Sequence, residues 1–211
     1  MYTLFYYPRN ASLAPHFVLK ALDVPFQLEL VDRKKVAQKS AQYLRLNPTG
    51  RIPTLVDDDF VLCESAAICL YLCEKHSEKN LIPDAPQAKA EFYQWLMYLT
   101  STLQNELMVY FYPERHTQNA IMYDDIIKTQ QSRISDALAI LDQKLGNNSY
   151  LVNDQFTVCD CYMFMLCIWA DEIAKPPLSF TNLNRYLKNL AKHPAIASVC
   201  EYEETDLTIY K

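Results

Sequence analysis

The sequence predicts a chain in two parts, an α/β domain of order βαβαββα followed by an all-α domain. Three observations predict it. Every strand-like run, rich in β-branched and aromatic residues, falls before Cys63, while beyond Pro86 only the apolar period of helices remains. The segment between, Ser77–Pro86 (SEKNLIPDAP), carries two prolines and no helical period. At 211 residues the chain also exceeds a typical single domain, and half its residues are hydrophobic with only two glycines, a composition of packed helices. The expected division is residues 1–76, a linker at 77–86, and a helical domain at 87–211.

Tyr2–Tyr7 reads as a first strand, bounded by Pro8. A helix then starts at Ser12 and runs through LAPHFVLKALDV, with Pro15 in its first turn, where a missing N–H does no damage. Phe26–Val31 makes the second strand, and Lys34–Leu46 a polar helix with Val36, Tyr43, Leu44 and Leu46 inward. After a loop at Asn47, Ile52-Pro53 enters a third strand, a tight turn follows at Asp57-Asp58-Asp59, and Phe60–Leu62 returns. A proline at the first residue of a strand costs the ladder no donor. Glu64-Ser65 open a helix that reaches His76 and completes the α/β unit, which matches the thioredoxin fold.

Beyond the linker, Gln87–Tyr112 reads as one long aromatic-rich helix stopped by Pro113, and Met122–Leu145 as a second ending at Gly146. In Thr157-Val158-Cys159-Asp160 the threonine caps the helix while the aspartate reaches back, ahead of the apolar run CYMFMLCIWA. Two shorter helices, Leu183–Ala191 and Ala195–Glu201, flank His193-Pro194.

Several function classes are disfavoured by composition. A net charge of −5, with Arg33-Lys34-Lys35 the only basic run, leaves no footprint for nucleic acid. No window is long and apolar enough to span a membrane, and MYTLFYYPRN lacks the pattern of a signal peptide, so a cytoplasmic protein is expected. The seven cysteines form no Cys-x-x-Cys and sit mostly in apolar helical stretches, as reduced core residues. Cys69, Cys73 and His76 come nearest to a ligand set but lack a fourth member, so no metal is expected.

The stretch NPTGRIPTLVDDDFVLCES resembles the glutathione site of thioredoxin-fold glutathione transferases. The resemblance implies a cis Ile52-Pro53 bond that turns the Ile52 N–H and C=O outward, where an extended cysteinyl peptide adds as a short antiparallel strand. At Ser65 the helix start offers orphan N–H groups, a hydroxyl and a positive dipole end to the γ-glutamyl carboxylate, and Glu64 accepts from the α-amino group. The bland alternative for the pair is an N-cap serine beside a solvated acid. The run Phe156–Tyr162 in turn resembles the buried capping motif of the helical domain of the same family, so the resemblance covers nearly the whole chain.

The thiol of such a peptide points between the first strand and the first helix. There, YYPRNASLAPH is similar to the bacterial beta class, whose usual cysteine is replaced by Ala11. The candidates for stabilising a thiolate are then Ser12, Asn10 and Tyr6. A free thiol titrates near about 8.5, and each unit of depression requires about 1.4 kcal/mol. One charge-assisted bond worth about 1.5–3 kcal/mol supplies that without a general base. With Pro15 lacking an N–H, the Ser12 hydroxyl is expected to accept from Ala14 and donate to sulfur. A plain N-cap serine, a turn asparagine and a core tyrosine are the alternatives.

By the same resemblance, Lys35 and Arg51 meet the glycyl carboxylate, though both suit a solvated surface equally. Gln104 and Asn105 stand where the beta class often has a histidine and a lysine. Met108, Tyr110, Tyr112 and Trp169 of the helical domain are expected to form the hydrophobic acceptor site, or else core. The implied function is a homodimeric detoxification enzyme, with glutathione as co-substrate and a small hydrophobic electrophile as its other partner. Two other readings stay open: a binding or regulatory protein of the same fold, similar to the stringent starvation proteins, and a glutathione-dependent isomerase.

Overall fold

The computed structural model describes residues 1–211, and the chain folds in the predicted class. Strands β1 (Tyr2–Tyr6), β2 (Phe26–Leu30), β3 (Thr54–Asp57) and β4 (Phe60–Cys63) form one sheet in the order β2-β1-β3-β4. β1 runs parallel to β2 and antiparallel to β3, and β3 pairs antiparallel with β4. The parallel pair requires a crossover, which helix α1 (Leu13–Leu22) supplies. Helices α2 (Ala41–Leu46) and α3 (Ser65–Lys75) complete the order βαβαββα.

Strand alternation sorts the end of β1 between two faces. Phe5 and Tyr7 pack with Val31, Tyr43 and Ile52 on one side. On the other, Leu4 is fully buried and the Tyr6 ring lies 6.3 Å from His16 of α1.

The expected helix Lys34–Leu46 is shorter than its pattern suggested. Asp32 accepts the N–H groups of Lys34 and Lys35 and starts a single 3-10 turn, Arg33–Lys35. Val36 then adopts a left-handed φ of 57°, which ends the turn and leaves its side chain exposed instead of inward. A second turn, Ala37–Lys39, precedes α2, which Ser40 caps by accepting the Tyr43 N–H.

Packing divides the chain after Ile82, within the expected linker, and counts Ala191–Ile209 and Lys211 with the first unit. The reason is helix α9 (Pro194–Tyr202), which packs along α1, in sequence order after the helices of the second unit. Those helices are α4 (Pro86–Met97), α5 (Gln104–Phe111), α6 (Tyr123–Leu145), α7 (Val158–Trp169) and α8 (Thr181–Leu190).

Helices α4 and α5 are the expected long aromatic helix, joined through a π-helical stretch at Tyr98–Leu103. Its cause is local: the hydroxyls of Thr100 and Ser101 both donate to the Met97 carbonyl, at 3.1 and 2.6 Å, in competition with the helix's own N–H groups. At the start of α7 the predicted capping box is present and buried. Asp160 accepts from the Thr157 N–H (2.7 Å), the Thr157 hydroxyl (3.2 Å), the Leu151 N–H (3.0 Å) and the Tyr186 hydroxyl (2.7 Å). Gln104 Oε1 takes the Tyr162 hydroxyl at 2.6 Å, which ties α5 to α7.

Candidate functional site

Three segments of the first unit build the site: the loop before β3, the start of α3, and the turn between β1 and α1. The loop before β3 is organised by Asn47, which is buried. Its Oδ1 accepts from the Thr49 N–H (3.1 Å) and hydroxyl (2.7 Å), and its amide donates to the Arg51 carbonyl (2.8 Å). The Tyr43 hydroxyl reaches the same carbonyl at 2.7 Å and Thr54 Oγ1 at 2.9 Å. Gly50 turns the chain with a φ of 60°, and a Cβ there would sit 2.6 Å from Lys39 Nζ. Arg51 is thus held by its carbonyl while its side chain stays exposed.

The peptide that follows, Ile52-Pro53, is cis. Ile52 is buried to 8% exposure, yet neither its N–H nor its C=O has a hydrogen-bond partner. Thr54 pairs with Cys63 across the β3–β4 ladder, so continuing the register places Ile52-Pro53 opposite Glu64-Ser65. Pro53 and Glu64 thus directly adjoin the last paired residues of β3 and β4.

Helix α3 opens with Glu64 as N-cap, in a positive-φ conformation (71°), exposed and without a side-chain cap bond. Such a backbone persists in a non-glycine residue only where its surroundings hold it. The first intrahelical bond is Ile68 N–H to Glu64 C=O at 2.9 Å, which leaves the N–H groups of Ser65, Ala66 and Ala67 at the positive end of the helix. The Ser65 hydroxyl is committed, donating to the Ala11 carbonyl at 2.7 Å. It keeps an oxygen that can accept but has no proton left for a ligand. Its fixed bond locks the start of α3 to the β1–α1 turn.

The end of β1 and the turn that follows carry the three residues expected at the thiol, Tyr6, Asn10 and Ser12. Ser12 is fully buried, and its hydroxyl donates to the Tyr7 carbonyl (3.1 Å) and accepts the Tyr7 N–H (3.2 Å). It does not accept from Ala14, because Ser12 is itself helical (φ −72°, ψ −15°) and faces back along the turn. Tyr6 lies on the sheet face opposite Ile52, its ring 6.3 Å from that of Tyr202. Burial, with a hydrogen bond to Tyr202 next, pushes its phenol up to about 12.

Asn10 remains. It is half-buried, its Oδ1 is fixed by the Ala11 N–H at 2.9 Å, and its amide NH2 is left without a partner.

Lys35 is largely exposed and pairs with Asp32 at 3.5 Å, whereas Lys39 Nζ donates to the Thr49 carbonyl at 3.2 Å, beside Gly50 and Arg51. In the second unit, Met108, Tyr110, Tyr112 and Trp169 are each half-buried. Sequence reasoning missed Tyr43, Asn47 and Lys39. The Asn-Pro-Thr-Gly spacing of an Asx turn signalled the second of these, and nothing local signalled the others. Cys69 and Cys73 are buried core, and His76 Nε2 meets the Tyr2 hydroxyl at 2.9 Å.

Comparison with known proteins gives one family throughout. Residues 1–74 match the model for the N-terminal domain of glutathione S-transferase, and residues 104–194 the model for its C-terminal domain. Glutathione S-transferase D7 of Drosophila melanogaster is 30% identical over 184 residues, 86% of this chain and 80% of the fly protein. GstB of Escherichia coli is 30% identical over 193 residues, 86% of this chain and 88% of its own. Among solved structures, a glutathione transferase homologue from Sulfitobacter with bound glutathione superposes with a TM-score of 0.90 at 23% identity, over 96% of this chain and 98% of that one.

Proposed function

The chain belongs to the glutathione S-transferase family, and from that premise we propose that it binds glutathione and conjugates its thiolate to an electrophilic carbon of a small hydrophobic substrate, giving a thioether. The observation that carries this reading is the unpartnered main-chain pair on Ile52, held by Tyr43 and Asn47 opposite the start of α3. The cysteinyl unit of glutathione adds to Ile52 as a two-bond strand. Its γ-glutamyl carboxylate takes the first N–H groups of α3 and its ammonium the Glu64 carboxylate. Its glycyl carboxylate falls to Arg51 and Lys39, with Lys35 available from an exposed position.

The sulfur then lies near Asn10, whose free amide NH2 and the N-terminus of α1 favour the thiolate. Retention on a glutathione column, elution by free glutathione, and thioether formation with a nitroaryl halide test the two halves of the reading separately. Failure to be retained removes the site.

A second reading, a binding or regulatory protein of the same fold, draws support from Ala11 in place of a cysteine and from the engaged Ser12 hydroxyl. Retention on the column without conjugation of any electrophile selects it.

We also propose a homodimer in the cytoplasm. Phe60 and Val61 on the first unit, and Tyr93 and Met97 on the second, expose apolar surface that pairing the small domain of one subunit with the helical domain of another covers. Seven unpaired cysteines suit a reducing compartment.

A further inference from the structure

We propose that Glu203, far along the chain from the β1–α1 turn, is a positioning residue for the thiol site, acting through Arg9 and His16. The proposal rests on the glutathione-transferase reading above and adds how the turn carrying Asn10 is held. One carboxylate oxygen lies 2.7 Å from His16 Nδ1, and the other accepts the Arg9 N–H at 3.1 Å. The side chain of Glu203 has no exposure and that of His16 only 4%. A carboxylate so buried persists only when both oxygens are engaged. Its two partners flank Asn10 in sequence, Arg9 directly before it and His16 within α1.

Arg9 needs such a partner. It adopts a left-handed φ of 54°, which a non-glycine residue takes up only where something holds it. The turn's other ties hold Asn10 and its C-terminal side: the Asn10 N–H donates to the Tyr7 carbonyl at 3.2 Å, the Leu13 N–H to the Asn10 carbonyl at 2.9 Å, Ser65 holds the Ala11 carbonyl, and Ser12 closes on Tyr7. Glu203 reaches Arg9's main chain from outside the turn. Glu203 is itself fixed, because its N–H donates to the Val199 carbonyl at 2.8 Å, at the end of α9. His16 cannot swing aside, since Phe26 and Tyr202 stand edge-on to its ring at 5.5 and 5.7 Å.

Removing the acceptors at Glu203 therefore takes a long-range anchor from Arg9 and loosens the Asn10 side-chain amide against the sulfur. The groups that bind the rest of the peptide, Ile52, Glu64 and Ser65, stay where they are. The loss should fall on the thiolate and not on affinity.

The experiment compares full-length Glu203→Met, which keeps the shape without an acceptor, with Glu203→Gln. In the latter, an amide oxygen can take the Arg9 N–H while the NH2 donates to His16 Nδ1. Glu203→Met is expected to raise the pKa of bound glutathione by about one unit and lower kcat about tenfold near neutral pH. KM should stay within about twofold, the deficit should close as pH rises, and Glu203→Gln should restore most of the rate. Amide exchange at Arg9 should be slow in the wild type and fast in Glu203→Met, with sheet amides unchanged.

A Met variant with wild-type thiol pKa and kcat overturns the proposal. So does an Arg9 amide that exchanges freely in the wild type, a result available even if Glu203→Met does not fold. A wild-type protein with no affinity for glutathione overturns the functional reading instead and takes the thiol half of this proposal with it; Arg9 exchange then decides the tie alone.

Discussion

Ser12 and Tyr7 close the β1–α1 turn on each other, the serine hydroxyl donating to the tyrosine carbonyl at 3.1 Å and accepting its N–H at 3.2 Å. Both functions of the hydroxyl are spent on main chain, in a site with no exposure. In the proposed function the task of stabilising a thiolate falls to the neighbouring Asn10, and the two residues should fail differently when changed.

Asn10→Ala is expected to slow conjugation about ten- to a hundredfold near neutrality, the worth of one charge-assisted bond of about 1.5–3 kcal/mol. The deficit should shrink at alkaline pH, where solvent ionises the thiol unaided. Ser12→Ala should instead leave the bound thiolate nearly unchanged and cost about 1–3 kcal/mol of stability, through the orphaned Tyr7 peptide. Thiolate absorbance across a pH series separates them, and the reverse pattern returns the role to Ser12.

Glu64→Ala should weaken glutathione about ten- to a hundredfold while leaving the melting temperature nearly unaltered, because the carboxylate is exposed and caps nothing. Ser65→Ala should weaken binding and also lower the melting temperature, since it unpairs the Ala11 carbonyl. Calorimetry that finds both affinities intact removes the γ-glutamyl assignment.

Asp57 sets an acid limit to stability. Its hydrogen bond from Lys75 (2.5 Å), and next that from Tyr71 (2.7 Å), hold its carboxyl below the ordinary 3.8. The unfolded chain thus binds this proton more tightly than the folded chain. The stability contributed is fully present above the unfolded value and is lost as pH falls through the lower, folded one. Melts from about pH 5 to about pH 2 should show a steeper acid decline in the wild type than in Lys75→Met; parallel curves refute the linkage.

Asp160→Asn should be the most damaging of these changes. Four donors converge on the two oxygens of this fully buried side chain. An amide turns its NH2 toward at least one of them and leaves donors unsatisfied, at about 1–3 kcal/mol each. Chemical denaturation showing a loss below about 1 kcal/mol contradicts this account.

The features that were legible in the sequence are those whose causes are local. The hairpin Thr54–Cys63, the threonine–aspartate cap of α7 and the Ile52-Pro53 entry each depend on residues a few positions apart. The break at Val36 was hidden, because a helical pattern can continue through a residue whose backbone has left the helix. Thr100 and Ser101 likewise look like ordinary polar positions until both turn onto Met97. The face that Tyr6 takes was hidden for another reason. Alternation separates neighbouring strand residues onto two faces, but two adjacent tyrosines give no hint which face carries the site. Glu203 had no local signature, since its partners are Arg9 and His16.

That long separation has a consequence for synthesis. Domains tend to fold from the N-terminus as the chain emerges, at about 5–20 residues per second. The sheet and α1 have all their sequence by residue 63, yet Arg9 meets its carboxylate partner 194 residues after it is made. At those speeds the turn waits about 10–40 seconds on the ribosome with its N–H unpaired and His16 uncovered. The scaffold of the site is an early product of translation, and the tie from Glu203 to Arg9 forms long after it.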